Sequence, residues 1–104
     1  MDLQVVIPYF SRWDLLQKAV QSCSGHAVLV VDDSPSGIEG ELEEGVEALR
    51  TEGGVGFARA ANKGLTHAES RGIPWTLLLN DDAALRPGAL EKLCHCLLYT
   101  SPSP

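Results

Sequence analysis

The chain has 104 residues, 44% of them apolar, and a formal net charge of −6. That length and composition fit one small globular domain rather than a disordered segment, and an acidic balance with no basic run excludes binding driven by nucleic-acid phosphates. No stretch is apolar over the length of a membrane span, and the first residues lack the basic and apolar regions of a signal peptide.

Leu3 to Ile7, Leu-Gln-Val-Val-Ile, is β-branched and mostly apolar and reads as a first strand. Pro8 is expected to stop it, because proline cannot donate to a sheet ladder. Pro8-Tyr9-Phe10-Ser11 is then a loop at the strand's carboxyl end. Ser11 is placed to cap a helix from Arg12 to about Cys23, whose inner face carries Leu15, Leu16, Ala19, Val20 and Cys23. Ser24-Gly25 ends it. Ala27-Val28-Leu29-Val30-Val31 is a second, buried strand, followed at once by Asp32-Asp33-Ser34-Pro35. Strand, helix, strand in that order predicts a parallel pair with a right-handed crossover.

Residues 36–52 are acidic and punctuated by glycine. Glu41 to Arg50 is expected to form a short helix with Leu42, Val46 and Leu49 inward, and any strand near Ala48 to Thr51 would be short. Gly53-Gly54-Val55-Gly56 then leads into a helix from Phe57 to Ser70, stopped at Gly72, with Phe57, Ala60, Ala61, Leu65 and Ala68 as its apolar stripe. The glycines let backbone approach a ligand. The spacing is not the dinucleotide fingerprint, since Arg59 stands where that motif needs a small residue and no buried strand precedes it. The bland alternative is an alanine-rich core helix with a flexible start.

Pro74 to Ala83 runs from a turn through Leu77, Leu78 and Leu79 into Asn80-Asp81-Asp82. Three consecutive leucines leave no polar face, which fits a strand covered on both sides in a parallel sheet. An unpaired buried carboxylate costs far more than the roughly 1.5–3 kcal/mol each buried leucine contributes, so Asp81 and Asp82 should sit just past the strand's carboxyl end. Both acidic pairs then fall on one sheet edge, the edge where open α/β sheets bind ligands. Their hard oxygens, with Asn80, suit Mg²⁺ or Mn²⁺.

Pro87-Gly88 opens a last helix, Ala89 to about Cys94. Cys94-His95-Cys96 is too compressed for a zinc site, and Cys23, Cys94 and Cys96 make no disulfide framework, which suits a reducing compartment. Residues 96–104 carry no charge and no helix stop signal. They look like the read-through of a transposase-type sequencing adapter and are set apart as a non-native tail. Residues 1–95 are then the N-terminal part of a longer domain.

Four blocks in order now resemble family 2 glycosyltransferases: Val-Val-Ile-Pro-Tyr-Phe at 5–10, Val-Val-Asp-Asp-Ser at 30–34, Gly-Phe-Ala-Arg-Ala-Ala-Asn-Lys-Gly at 56–64 and Leu-Leu-Asn-Asp-Asp-Ala at 78–83, with Pro87-Gly88-Ala89-Leu90 behind them. The Gly-Phe-Ala segment is similar to that of rhamnosyltransferase-like members. The resemblance implies an α/β, Rossmann-like GT-A half-domain with a mostly parallel sheet flanked by helices, binding a UDP- or dTDP-linked sugar for transfer to a glycan or lipid acceptor. By the same resemblance Pro8 and Tyr9 line the base and ribose pocket, and Asp33, together with Asp32, is expected to accept a hydrogen bond from the pyrimidine imide. Gly56, Arg59 and Asn62 lie beside the nucleoside. Asp82 holds an Mg²⁺ or Mn²⁺ ion on the diphosphate. Asn80 stands where the family's metal motif has its first aspartate, so Asp81 shares the coordination or Asn80 meets the donor sugar.

The family's catalytic base lies in an acceptor-binding half, which is expected beyond His95. His26, His67 and His95 match no such motif, so residues 1–95 alone should not transfer sugar. Location is expected to be cytoplasmic, with the parent protein able to sit at the inner face of the membrane. Two other readings exist. A phosphoacceptor receiver domain would need an acidic pair after the first strand, where this chain has Pro8-Tyr9, and a lysine after a late strand, whereas Lys92 falls on the final helix. A non-catalytic α/β interaction domain would use the acidic loops only as solvated turns.

Overall fold

A computed structural model describes residues 3–38 and 40–81. Within them the chain forms β1 (Leu3–Tyr9), α1 (Trp13–Ser22), β2 (Ala27–Asp32), β3 (Val46–Arg50), α2 (Phe57–Ser70) and β4 (Trp75–Leu78). All pairings are parallel, and the strand order is β3-β2-β1-β4. The chain therefore steps outward from β1 to β2 to β3, then returns through α2 to lay β4 against the other side of β1.

Side-chain parity along β1 divides the core. Leu3, Val5, Ile7 and Tyr9 pack with Leu16, Ala19, Val20 and Cys23, beneath α1. Val6 packs with Leu29, Val31 and Ala60, beneath α2. Successive residues of a strand point to opposite faces, so a run of alternating ownership needs apolar residues throughout. That is why Val5, Val6, Ile7 and Val28 to Val31 read as unbroken hydrophobic runs. Trp75 and Leu77 of β4 join the α1 side. Gly64 brings α2 close: a Cβ there would stand 2.5 Å from Val6 Cγ1 and 2.8 Å from Val31 Cγ2.

The structure corrects five expectations. First, β1 does not stop at Pro8 but continues to Tyr9, with Pro8 opposite Val31. Leu79 N–H donates to the Val6 carbonyl and Asp33 N–H to the Tyr9 carbonyl. Even residues of β1 thus turn their backbone groups toward β4 and odd ones toward β2. The donor that Pro8 lacks faces β4, whose pairing with β1 ends at Val6, so proline terminates one ladder and leaves the other intact.

Second, α1 begins at Trp13, with Arg12 at the N-cap position and no side-chain cap, so Ser11 does not cap it. Third, residues 46–50 are a strand and not a helix. Gly45 at φ 87° breaks any helix across 41–50, and Val46 and Leu49 go to opposite core faces, as strand parity requires. Fourth, Phe57 stands 54% exposed, and Gly64 takes a buried place on the α2 stripe beside Ala60, Ala61 and Ala68. Fifth, β4 is only half-buried, with Leu78 exposed, and among the described residues β1 is its one strand neighbour. The helix expected at Ala89 to Cys94 and the tail at 96–104 lie outside the described residues.

Candidate functional site

The strand order creates a reversal point between β1 and β4, and α/β sheets bind ligands outside the carboxyl ends of the strands at such a point. A cavity of about 320 Å³ opens there. Its walls come from the end of β1 (Pro8, Tyr9, Phe10), from Asp33 after β2, from the glycine loop and first turn of α2 (Gly54, Gly56, Phe57, Ala60) and from Asp81 after β4. Pro8 helps to open it, since it ends the β1/β4 ladder just below.

Asp33 is the organising group. Its Oδ1 accepts the Thr51 hydroxyl at 2.5 Å and the Val55 N–H at 2.9 Å, and its Oδ2 accepts the Gly56 N–H at 3.0 Å. The Asp33 carbonyl also takes the Gly54 N–H at 2.9 Å. The residue at the N-cap of α2, Gly56, has no side chain to cap with; the carboxylate just past β2 accepts its N–H and that of Val55, at a helix start where a negative charge is favoured. Gly56 sits at φ 98°, a conformation that a Cβ would strain. Burial pushes the Asp33 carboxyl up, but the bonds from Thr51, Val55 and Gly56 outweigh it and hold the group below its ordinary value, so it is a carboxylate near neutrality.

Asp32 has a different occupation. Its Oδ1 accepts the Ser34 N–H at 3.0 Å and the Ser34 hydroxyl at 2.5 Å, and its Oδ2 pairs with Arg50 at 2.7 Å. The carboxylate is buried and tied to the β3 end, away from the cavity lining. On the far wall, Asp81 Oδ2 accepts the Phe10 N–H at 3.3 Å, which joins the ends of β1 and β4, and among the described residues Oδ1 takes no hydrogen bond. A half-buried carboxylate with a spare oxygen on a cavity wall suits a hard divalent cation as one ligand. Among the described residues no cluster of three or more histidine, cysteine, aspartate or glutamate side chains could hold a metal. Asp82 lies outside the described residues.

Of the residues singled out from the sequence, Pro8, Tyr9, Asp33, Gly56 and Asp81 meet around one cavity. Arg59 and Asn62 are exposed on α2, and Asn80 is exposed beside Asp81; none of the three lines it. Tyr9 is held from behind by Trp13, edge to face at 6.2 Å. Sequence reasoning missed Thr51, which looked like the end of an acidic linker, and the aromatics Phe10 and Phe57. Both aromatics line the cavity while 50% and 54% exposed. A phenylalanine next to each motif, Pro-Tyr-Phe and Gly-Phe-Ala, was the available signal.

A family model described as Glycosyl transferase family 2 matches residues 4–97. Among solved structures, the crystal structure of S. aureus TarS 1-349 superposes with a TM-score of 0.72 at 14% sequence identity, over 97% of this chain and 33% of that one. At that identity the likeness concerns the fold alone, which is the expected α/β, GT-A-type half-domain, and the chain spans about a third of the structure it matches. No curated protein matches the chain.

Proposed function

The chain belongs to glycosyl transferase family 2, and from that premise we propose that it is the donor-binding part of a sugar transferase, taking a UDP- or dTDP-linked sugar at the cavity between β1 and β4. The observation that carries this reading is the convergence of Pro8, Tyr9, Asp33, Gly56 and Asp81 on one cavity at the reversal point of the sheet. The aromatic and proline wall suits a planar base. Asp33 Oδ2 accepts one protein donor and has capacity for a second, which suits the imide N–H of uracil or thymine. Arg59 and Asn62, on the same helix, are within the reading as outer contacts to the nucleoside, and Asn80 as a contact to the sugar. Asp32 supports the site indirectly, by tying the end of β2 to Arg50.

Asp81 and Asp82 are the residues that would hold Mg²⁺ or Mn²⁺. When bound, that ion would neutralise charge developing on the diphosphate leaving group. The residues of this chain bind and orient the donor. Deprotonation of an acceptor hydroxyl is assigned to a part of the parent protein beyond His95, with a glycan or lipid as acceptor. The rhamnosyl or other hexosyl type is the finer reading, and Gly56-Phe57-Ala58 is the feature that favours the rhamnosyl one.

Titration of the isotope-labelled chain with UDP, dTDP and ADP in the presence of Mg²⁺ tests the proposal. The amide signals of Tyr9, Phe10, Gly54, Val55 and Gly56 should shift with the two pyrimidine nucleotides and less with ADP. Unmoved signals at millimolar pyrimidine nucleotide would reject the cavity as a donor site.

A further inference from the structure

Resting on the nucleotide reading above, we propose that Thr51 is a positioning residue for base selection: its hydroxyl fixes the Asp33 carboxylate so that Oδ2 meets the base as a pure acceptor and admits only a base that presents an N–H there. Thr51 directly follows β3 and is 8% exposed. Its N–H donates to the Asp32 carbonyl at 3.0 Å, its hydroxyl donates to Asp33 Oδ1 at 2.5 Å and lies 3.4 Å from the Asp32 carbonyl, and its Oγ1 accepts the Gly53 N–H at 3.0 Å. A hydroxyl has one proton. An ionised carboxylate can only accept, and Oδ1 at 2.5 Å is far nearer than the Asp32 carbonyl at 3.4 Å, so the proton is directed to Oδ1.

The consequence falls on the other carboxylate oxygen. Oδ1 carries two donors, Thr51 and Val55, and so is filled; Oδ2 carries one, Gly56. Rotation of the carboxylate about its Cβ–Cγ bond would break all three bonds at once. Among the described residues, Oδ2 is therefore the Asp33 oxygen with room for a further donor. Uracil and thymine present an N–H from N3 at their pairing edge. Cytosine presents a bare lone pair at N3, which would meet the carboxylate lone pair to lone pair, and a buried acceptor left against an acceptor is penalised.

The test measures UDP and CDP affinity on the 104-residue chain with Mg²⁺ present, for the parent sequence, Thr51→Val, Thr51→Ser and Asp33→Asn. The parent should prefer UDP. Thr51→Val keeps the shape and removes the hydroxyl, so UDP affinity should fall about tenfold, the scale of one hydrogen bond to a charged group, with CDP affinity unchanged. Thr51→Ser keeps the hydroxyl and should keep the preference. In Asp33→Asn the Thr51 and Val55 donors claim the amide oxygen, so the amide nitrogen takes the Oδ2 place and the preference should swing toward CDP. Equal losses of UDP and CDP in Thr51→Val would mark Thr51 as merely structural and overturn the proposal. So would a Thr51→Ser variant that loses the preference, or an Asp33→Asn variant that keeps it; both remain decisive if Thr51→Val does not fold. A parent chain that binds neither nucleotide would overturn the donor-site reading itself, whereas UDP binding with an unaltered Thr51→Val would overturn only the role of Thr51.

Discussion

Gly64→Ala puts the packing of α2 on the sheet to a test whose sign decides. In an unconstrained helix this change stabilises by about 1 kcal/mol, because glycine has more backbone freedom to lose. Here the new methyl would stand 2.5 Å from Val6 Cγ1 and 2.8 Å from Val31 Cγ2. Carbon atoms rest at about 3.5–4.0 Å, so roughly 1 Å of space is missing on two sides. Both valines are fully buried, and a β-branched side chain has few rotamers to retreat into. The helix must lift, at the usual cost of overpacking, about 1–3 kcal/mol. We expect the net change to be destabilising by about 1–2 kcal/mol, since the larger steric cost exceeds the gain in propensity. Urea unfolding followed by circular dichroism measures it, as a lower midpoint at unchanged slope. Adding Val6→Ala should rescue part of the loss, so that the double variant is more stable than the two separate effects predict. A Gly64→Ala protein more stable than the parent would refute the close approach of α2 to β1 and β2.

Three further outcomes follow from the site. Asp33 is held below the ordinary aspartate value of 3.8, burial being outweighed by the bonds from Thr51, Val55 and Gly56; in acid the unfolded chain takes up this proton first, so the stability it contributes is complete above that value and is lost as pH falls through the lower folded one. Urea midpoints between about pH 5 and pH 2 should fall less steeply in Asp33→Asn than in the parent, and parallel curves would contradict the assignment. Asp33→Ala should weaken UDP binding by about 1–3 kcal/mol, and calorimetry showing unaltered affinity would remove Asp33 from the base site. Mn²⁺ should tighten UDP binding and UDP should tighten Mn²⁺ binding by the same factor, with Asp82→Asn removing most of that factor and Asp81→Asn less; equal UDP affinity with and without metal in the full-length parent protein would refute the metal role.

What the sequence disclosed, and what it hid, can be traced to particular residues. Buried strands and the α2 helix announced themselves because their patterns are set locally: Val28 to Val31 leave no polar face, and Phe57 to Ser70 has a glycine at each end. The stretch 41–50 is ambiguous because Leu42, Val46 and Leu49 match helical spacing, while Val46 and Leu49 equally match the two sides of an edge strand. Only the φ of Gly45 and the neighbour β2 decide between them. Pro8 was misread because its effect depends on which neighbour its missing donor faces, and that is a property of the sheet. The acidic pair at 32 and 33 was expected to serve one ligand, with Asp33 foremost. Its division into a buried ion pair with Arg50 and a clamp on the glycine loop comes from contacts with residues 50 to 56, which no local pattern contains.

The strand order also sets a timetable. β1 and β2 are separated by one helix and β2 and β3 by the connection at residues 33–45, whereas β4 reaches β1 only after β2, β3 and α2 have been traversed. Closing a longer loop costs more entropy, and contacts distant in sequence form later. The carboxylate of Asp33 and the loop it grips belong to the part that assembles first. Asp81, whose bond to Phe10 spans nearly the whole described chain, arrives with the last strand. The Asp33 wall of the cavity is therefore expected to form before the Asp81 wall, and, on the donor-site proposal, a chain caught midway would already hold the wall proposed for the base while still lacking Asp81.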